Sequence, residues 1–426
     1  MRLTYLQGNI AMLMPSVPVQ RTTWRTPTVI AVCGCLIGMM TFGPRSTLGF
    51  FLTPLSQAHG WGRDVFALAI AVQNLLWGLG QPLAGAIADR FGANRVLSVG
   101  ALLYAAGLVV MAHASNAAVL ELSAGFLIGF GLSGCAFTVV LGAFGKLLPE
   151  SWRSLAFGAG TAAGSFGQFL YSPVAVMLMG LVGWQETLVI FGLSLLVVLP
   201  LSLALATGRS AALASPSSTR EPQSVRQALA EAFGHRSYVL LVLGFFTCGF
   251  QLAFVTVHLP SYLVDRGLSN QVGGWTLAII GIFNIIGSLS AGWLGNRMPK
   301  RYILSAIYFA RALSIVVFIS LPASPLATYL FGAVTGLLWL STVPPTSALV
   351  AVMFGTRWLT MLFGFAFFSH QVGGFLGVWL GGVAFERTGS YNSVWWLSVL
   401  FGLLSAVINL PIVEKPVARA PAAVAA

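Results

Sequence analysis

Three ionisable side chains, Arg45, Arg311 and His370, fall inside long hydrophobic stretches of the chain. A charged or titratable group at membrane depth is costly and is a functional candidate by default. Arginine offers a planar fork that holds a carboxylate with two hydrogen bonds. Histidine, with an ordinary pKa of about 6.5, can carry a proton. All ten Asp and Glu residues lie in loops or near the ends of the stretches. This combination favours an anionic ligand over a cation.

Neutral polar residues in other stretches add possible hydrogen-bond partners for such a ligand. The predicted binding set is Arg45, His370, Gln371, Arg311, Tyr171, Gln168, Asn284 and Gln251. Each charged member has a plain alternative. Arg45 could extend toward the membrane surface past the Gly43–Pro44 pair, Arg311 could cap free backbone carbonyls, and His370 could be a neutral partner of a neighbouring helix.

The elements that position these residues are membrane helices. Hydrophobic residues make up 57% of the 426-residue chain and charged residues 8%, whereas a soluble domain carries about 25% charged residues. Stretches of about 20 apolar residues span a bilayer as helices. Twelve are predicted: 28–52, 64–88, 96–113, 119–145, 154–181, 185–206, 238–260, 271–295, 302–321, 326–350, 358–385 and 392–413. The predicted fold is an all-α integral membrane protein.

The distribution of basic residues predicts the orientation in the membrane. Seventeen of the 22 lie in the termini and even-numbered loops, and three lie in the odd-numbered loops. Basic loops stay in the cytoplasm, so both termini are expected there. The predicted units are a tail (1–27), a six-helix bundle (28–206), a cytoplasmic linker (207–236) holding a short amphipathic helix, a second bundle (237–413) and a tail (414–426).

The two bundles carry an internal repeat at an offset of 207 residues. "GAIADRFGANRVLS" at 85–98 matches "GWLGNRMPKRYILS" at 292–305. Gly85, Arg90, Leu97 and Ser98 recur as Gly292, Arg297, Leu304 and Ser305. Duplicated halves with a site between them are the architecture of alternating-access carriers.

The loop "GAIADRFGANRV" resembles the signature of the major facilitator superfamily, and the resemblance extends over the whole chain. It implies two pseudo-symmetric six-helix bundles that rock about a central cavity, without enzymatic activity. It also implies a gating role for the loop and its second copy, in which Asn296 replaces the acid. The gating residues are Gly85, Asp89, Arg90, Gly92, Arg95, Gly292, Asn296 and Arg297.

The first three helices resemble the monocarboxylate porter and oxalate/formate antiporter branches of that superfamily. The shared features are a Gly-rich first helix, the Gly60-Trp61-x-Arg63 entry to the second helix, and Pro82 before the signature loop. The chain departs from those branches at helix 8, where residues 272–295 contain no charge. The resemblance implies a small organic anion as the substrate.

The predicted function is secondary transport of a monocarboxylate-like anion, coupled to protons or to anion exchange. The alternatives are an exporter of an amphipathic metabolite or drug and a non-transporting sensor. No phosphate-binding loop or metal-ligand spacing occurs, so neither cofactor nor metal is predicted. We expect a monomer in a bacterial inner membrane that binds a small organic anion, lipid and, in the proton-coupled mode, protons, but no nucleic acid.

Overall fold

The computed structural model describes residues 24–207, 224–355 and 358–417. Within them, twelve helices are long and apolar enough to cross a membrane. They are α1 (Pro27–His59), α2 (Arg63–Phe91), α3 (Ala93–Ala112), α4 (Ala117–Leu147), α5 (Glu150–Val182), α6 (Trp184–Leu205), α7 (Arg236–Asp265), α8 (Asn270–Gly295), α9 (Lys300–Ser320), α10 (Pro325–Phe354), α11 (Leu359–Thr388) and α12 (Asn392–Asn409). The twelve predicted spans are confirmed.

Local sequence sets the helix ends. The Thr26 hydroxyl accepts a hydrogen bond from the Val29 N–H at the start of α1, and Pro27 follows at the first helical position. At the same end of the bundle, α2 and α3 are separated by Gly92, whose φ of +100° suits glycine. In the linker, Ser224 and Gln227 form a capping box that begins the predicted amphipathic helix, Val225–Gly234.

Two helices, α4 and α10, are interrupted at positions related by the 207-residue repeat. In α4 the helix breaks at Cys135 and Ala136, after a wider π-helical turn at Glu121–Leu127. In α10 it breaks at residues 339–342, just before Pro344 and Pro345. A break leaves backbone carbonyls and amides without helical partners, so polar side chains must satisfy them.

The two halves, α1–α6 and α7–α12, meet through α1 with α7, α2 with α11, and α5 with α8. We call the end at residues 60–62, 266–269 and 389–391 the odd-loop end, and the end at residues 92, 148–149 and 296–299 the even-loop end. Near the odd-loop end the helices touch across the interface. The Thr53 and Ser261 hydroxyls are 3.0 Å apart, and a Cβ at Gly382 would lie 2.4 Å from the Ala67 Cβ.

The same interface faces separate toward the even-loop end. Gly85 on α2, Gly295 on α8 and Gly364 on α11 continue the helix faces that meet the opposite half further along the membrane. A Cβ added at any of the three would have no atom of the described chain within 4 Å. The two halves are therefore closed against each other at the odd-loop end and parted at the even-loop end.

Candidate functional site

Arg45 lies on α1 near the middle of the membrane and is 7% exposed. One terminal nitrogen, Nη2, donates a 2.7 Å hydrogen bond to Oδ1 of Asn74 on α2. The guanidinium carbon is 5.7 Å from the ring centre of Trp77, one turn along α2. The Nε–H is buried, with no hydrogen-bond partner among the described residues. Arg45 thus points into the protein toward α2, and its Nε–H is free to bind a ligand.

The second half meets this region through Gln371 on α11. A Cβ at Gly78 of α2 would lie 2.8 Å from the Gln371 Cβ, and a Cβ at Gly374 would lie 3.6 Å from the Asn74 side chain. Gln371 is 2% exposed. Its Oε1 is 3.2 Å from Nδ1 of His370, and its amide Nε2 has no partner among the described residues.

Aromatic side chains border this contact between α2 and α11. The rings of Trp77 and Phe367 meet edge to face at 5.6 Å, and Phe367 stacks on the His370 imidazole at 5.7 Å. The Trp77 Nε1–H is another buried donor without a partner among the described residues. We call Arg45, Asn74, Trp77, Phe367, His370 and Gln371 the central patch. It presents donors and aromatic faces at mid-membrane.

Arg311 serves the break in α10 instead. Its Nε donates to the Leu338 carbonyl at 3.0 Å, and its Nη2 donates to the carbonyls of Leu338 and Trp339. Its Nη1 is 3.4 Å from Oε1 of Gln251, whose amide donates to the Ser398 carbonyl at 2.9 Å. All these partners belong to the second half. This geometry matches the carbonyl-capping alternative for Arg311 and places Gln251 with it.

Two other predicted residues lie where α5 meets α8. Gln168 donates to the Leu277 carbonyl across the interface at 3.1 Å. Asn284 donates to the Ser165 hydroxyl at 2.8 Å and accepts from the Leu340 N–H at 2.9 Å. Asn284 therefore ties the opposite half to the broken segment of α10.

Tyr171 packs within the first half. A Cβ at Gly43 would lie 2.3 Å from its ring, and the ring centre is 5.3 Å from that of Phe191. Through Asn74, Trp77 and Phe367, the structure links Arg45 to the segment of α11 that carries His370 and Gln371. The remaining predicted residues are distributed over other contacts.

The predicted gating residues lie at the parted end. Arg90 lies over the Phe91 ring at 5.3 Å and Arg297 over the Trp293 ring at 3.7 Å, so each cation contacts its own helix. Gly92 is held near Thr207, whose carbonyl oxygen would be 2.9 Å from an added Cβ. The other members stand as follows: Gly85 is open, Arg95 is exposed, Gly292 lies near Pro344, Asn296 ends α8, and the Asp89 side chain lies outside the described residues.

A charged cluster at the closed end was not predicted. Arg63 forms a bidentate ion pair with Asp265, at 2.6 and 2.8 Å, and donates a hydrogen bond to the Tyr391 hydroxyl at 2.9 Å. Its backbone N–H donates to Glu386 at 2.6 Å. We call Arg63, Asp265, Glu386 and Tyr391 the odd-loop clamp. Its other members lie 202 to 328 residues away from Arg63 in the sequence, so the loop charges alone did not reveal the clamp. The Gly60-Trp61-x-Arg63 motif was the available signal.

Comparison with known proteins decides the family. The model of the Major Facilitator Superfamily matches residues 34–378. The chain belongs to this superfamily. As a member it is a multi-pass membrane transporter of small molecules, and its role is transport rather than enzymatic catalysis.

Individual relatives of this superfamily member agree in length and fold. It is 30% identical to the uncharacterized MFS-type transporter YcxA of Bacillus subtilis, over 90% of this chain and 94% of that protein. It is 23% identical to monocarboxylate transporter 12 of Mus musculus, over 90% and 87%. The crystal structure of a D-xylose–proton symporter superposes with a TM-score of 0.69 at 16% identity, covering 92% and 98%, which supports the fold.

Proposed function

We propose that this transporter moves a small organic anion, monocarboxylate-like in charge and size, by alternating access. Arg45 binds the carboxylate, and Gln371 donates to it from the opposite half. The observation that carries the proposal is the presence of free buried donors on both halves, Arg45 Nε and Gln371 Nε2, where α2 meets α11.

Electrostatics supports an anion at this place. A buried donor without an acceptor costs about 1–3 kcal/mol, and a bound carboxylate would remove that cost at both residues. The described acids lie at helix ends, away from the central patch. Arg45 therefore has a neutral amide, Asn74, as its hydrogen-bond partner, and an arriving anion would supply the missing negative charge.

Charge neutralisation explains why the anion would favour movement of the halves. An unpaired guanidinium resists transfer into an occluded, water-poor site, whereas an arginine–carboxylate pair carries no net charge. Because Arg45 and Gln371 come from different halves, the same anion can bridge them as they close. His370, beside Gln371, is placed to add a coupling proton; exchange with a second anion is the other mode.

We further propose an orientation and a gate. The positive-inside distribution places the even-loop end in the cytoplasm, so this state faces inward, in a bacterial inner membrane. The signature loops, with Arg90 and Arg297, would approach each other when the even-loop end closes. The chain serves as a monomer in this scheme, because each chain contains both halves.

Uptake by reconstituted protein tests the proposal. Proteoliposomes loaded with buffer are given radiolabelled acetate, lactate, pyruvate, oxalate or succinate, with and without a pH gradient. We expect saturable uptake of a monocarboxylate. Arg45→Lys should reduce uptake about tenfold or more, because a lysine cannot form the bidentate hydrogen bonds of an arginine to a carboxylate.

Arg266→Lys is the matched control, because Arg266 is exposed at the odd-loop end. This variant should transport normally. Absence of uptake or exchange across the whole panel would contradict the substrate class. Drug resistance on overexpression without anion flux would favour the amphipathic exporter. Unchanged transport by Arg45→Lys would reject Arg45 as the ligand.

A further inference from the structure

His258 is a second membrane histidine, on α7, and it lies beneath the odd-loop clamp rather than in the central patch. It is 0% exposed. Its Nε2 is 2.8 Å from the Val378 carbonyl on α11, so this nitrogen carries the hydrogen of a neutral ring. Its Nδ1 is buried without a partner among the described residues. The ring is tightly enclosed, because a Cβ at Gly381 would lie 2.4 Å from it.

The histidine is linked to the clamp through one aromatic ring. The centres of the His258 and Tyr391 rings are 5.1 Å apart, and the Tyr391 hydroxyl accepts from Arg63. Burial raises the pKa of Tyr391 to about 12, so the hydroxyl is neutral at physiological pH. The chain of contacts runs from an imidazole in the second half to a guanidinium in the first.

None of the acids near His258 contacts its ring in the described chain, so an imidazolium there would have no direct anionic partner. The charged and titratable groups facing this region are Arg63 and Asp64 on α2, Tyr262 and Asp265 on α7, Glu386 on α11, and Tyr391 before α12. Asp265 is engaged by the Arg63 side chain and Glu386 by the Arg63 backbone. A proton on Nδ1 would place an imidazolium near Arg63, with its new N–H facing no acceptor of the described chain.

We propose that His258 is a proton-binding site that controls the odd-loop clamp: the clamp closes over the neutral ring and opens when the ring is protonated. Opening withdraws Arg63 from Tyr391 and lets water approach the outer ends of α7 and α11, where an imidazolium is solvated. The site is independent of the anion proposed for the central patch, because it acts on the equilibrium between the two states of the empty carrier.

The linkage has a definite sign and size. In the open state a solvated imidazole has an ordinary pKa of about 6.5, whereas in the closed state protonation is disfavoured because the enclosed Nδ1 faces no acceptor of the described chain. The closed state is therefore favoured most above about pH 6.5, and it loses stability relative to the open state as the pH falls below that value. Between pH 7.5 and 5.5 the ratio of open to closed carrier should rise about tenfold.

Distance measurement between spin labels tests this inference on the full-length protein in liposomes without substrate. Labels are attached at Gln57→Cys and Ser269→Cys, two exposed positions at the odd-loop end in opposite halves. Cys33 and Cys35, the two cysteines that are only half-buried, are replaced by alanine. Double electron–electron resonance (DEER) is recorded at pH 7.5 and 5.5.

We expect the longer-distance population to grow about tenfold relative to the shorter one at pH 5.5, and His258→Gln to remove this growth. His113→Gln is the matched control, because His113 is exposed at the odd-loop end and its ring is hydrogen-bonded to the Val109 carbonyl of its own helix; this variant should respond to pH as the parent does. An unchanged distance distribution in the parent overturns the proposal. So does a pH response that persists in His258→Gln, or one that is lost in His113→Gln instead.

Discussion

Arg45 and Arg311 are the two arginines at mid-membrane, and they differ in what occupies their donors. The Arg311 guanidinium donates hydrogen bonds to the carbonyls of Leu338 and Trp339, at the break in α10, and to Gln251. Arg45 has one amide partner, Asn74, and a buried Nε without one. Both are buried arginines, 7% and 3% exposed, so the difference lies in the neighbouring backbone. A membrane arginine next to a broken helix supports structure, and one without such carbonyls is available to a ligand.

The repeat gives this comparison a second level. An offset of 207 places Arg311 on Tyr104 and Thr342 on Cys135, so the breaks in α4 and α10 correspond. In the first half the arginine is on the first helix and the tyrosine on the third; in the second half the third helix carries the arginine. The two halves therefore share a backbone pattern and use it with different polar residues.

The largest effect should come from removing the structural arginine. Arg311→Gln leaves the break carbonyls without charged donors, and each buried carbonyl left unpaired costs about 1–3 kcal/mol. We expect a lower melting temperature and less monodisperse protein in detergent, measured by thermal unfolding with size-exclusion chromatography. Arg45→Gln is the comparison and should unfold close to the parent; equal loss in both variants would remove the distinction.

A smaller effect should come from the donor of the second half. Gln371→Leu keeps the volume at the contact with Gly78 and removes the free Nε2–H. A hydrogen bond to a charged group contributes about 1.5 kcal/mol or more, so half-saturation for the anion should rise about tenfold with the maximal rate less affected. Uptake kinetics in proteoliposomes measure this. Gln168→Leu is the control, since Gln168 is already bonded to Leu277; an equal change there would indicate interface packing.

The sequence predicts the fold well and the site only in part. Length and hydropathy locate all twelve helices because the bilayer imposes both. Pro344–Pro345 marks the disrupted region of α10, but the break in α4 has no proline and appears only through the repeat. The roles of Arg45 and Arg311 depend on which way each side chain turns and on carbonyls distant in sequence. The odd-loop clamp depends on helix ends from both halves meeting, which loop charges do not specify.

Ligand-induced stabilisation of Arg45 variants measures the central claim most directly. A ligand that binds the folded protein raises its melting temperature with ligand concentration. Purified parent and Arg45→Gln are melted with increasing acetate, lactate or pyruvate at constant ionic strength, with chloride as the reference anion. We predict that a monocarboxylate stabilises the parent above chloride and that Arg45→Gln loses this stabilisation while its melting temperature without ligand is nearly unchanged. Undiminished stabilisation of Arg45→Gln by the same anion would contradict the account.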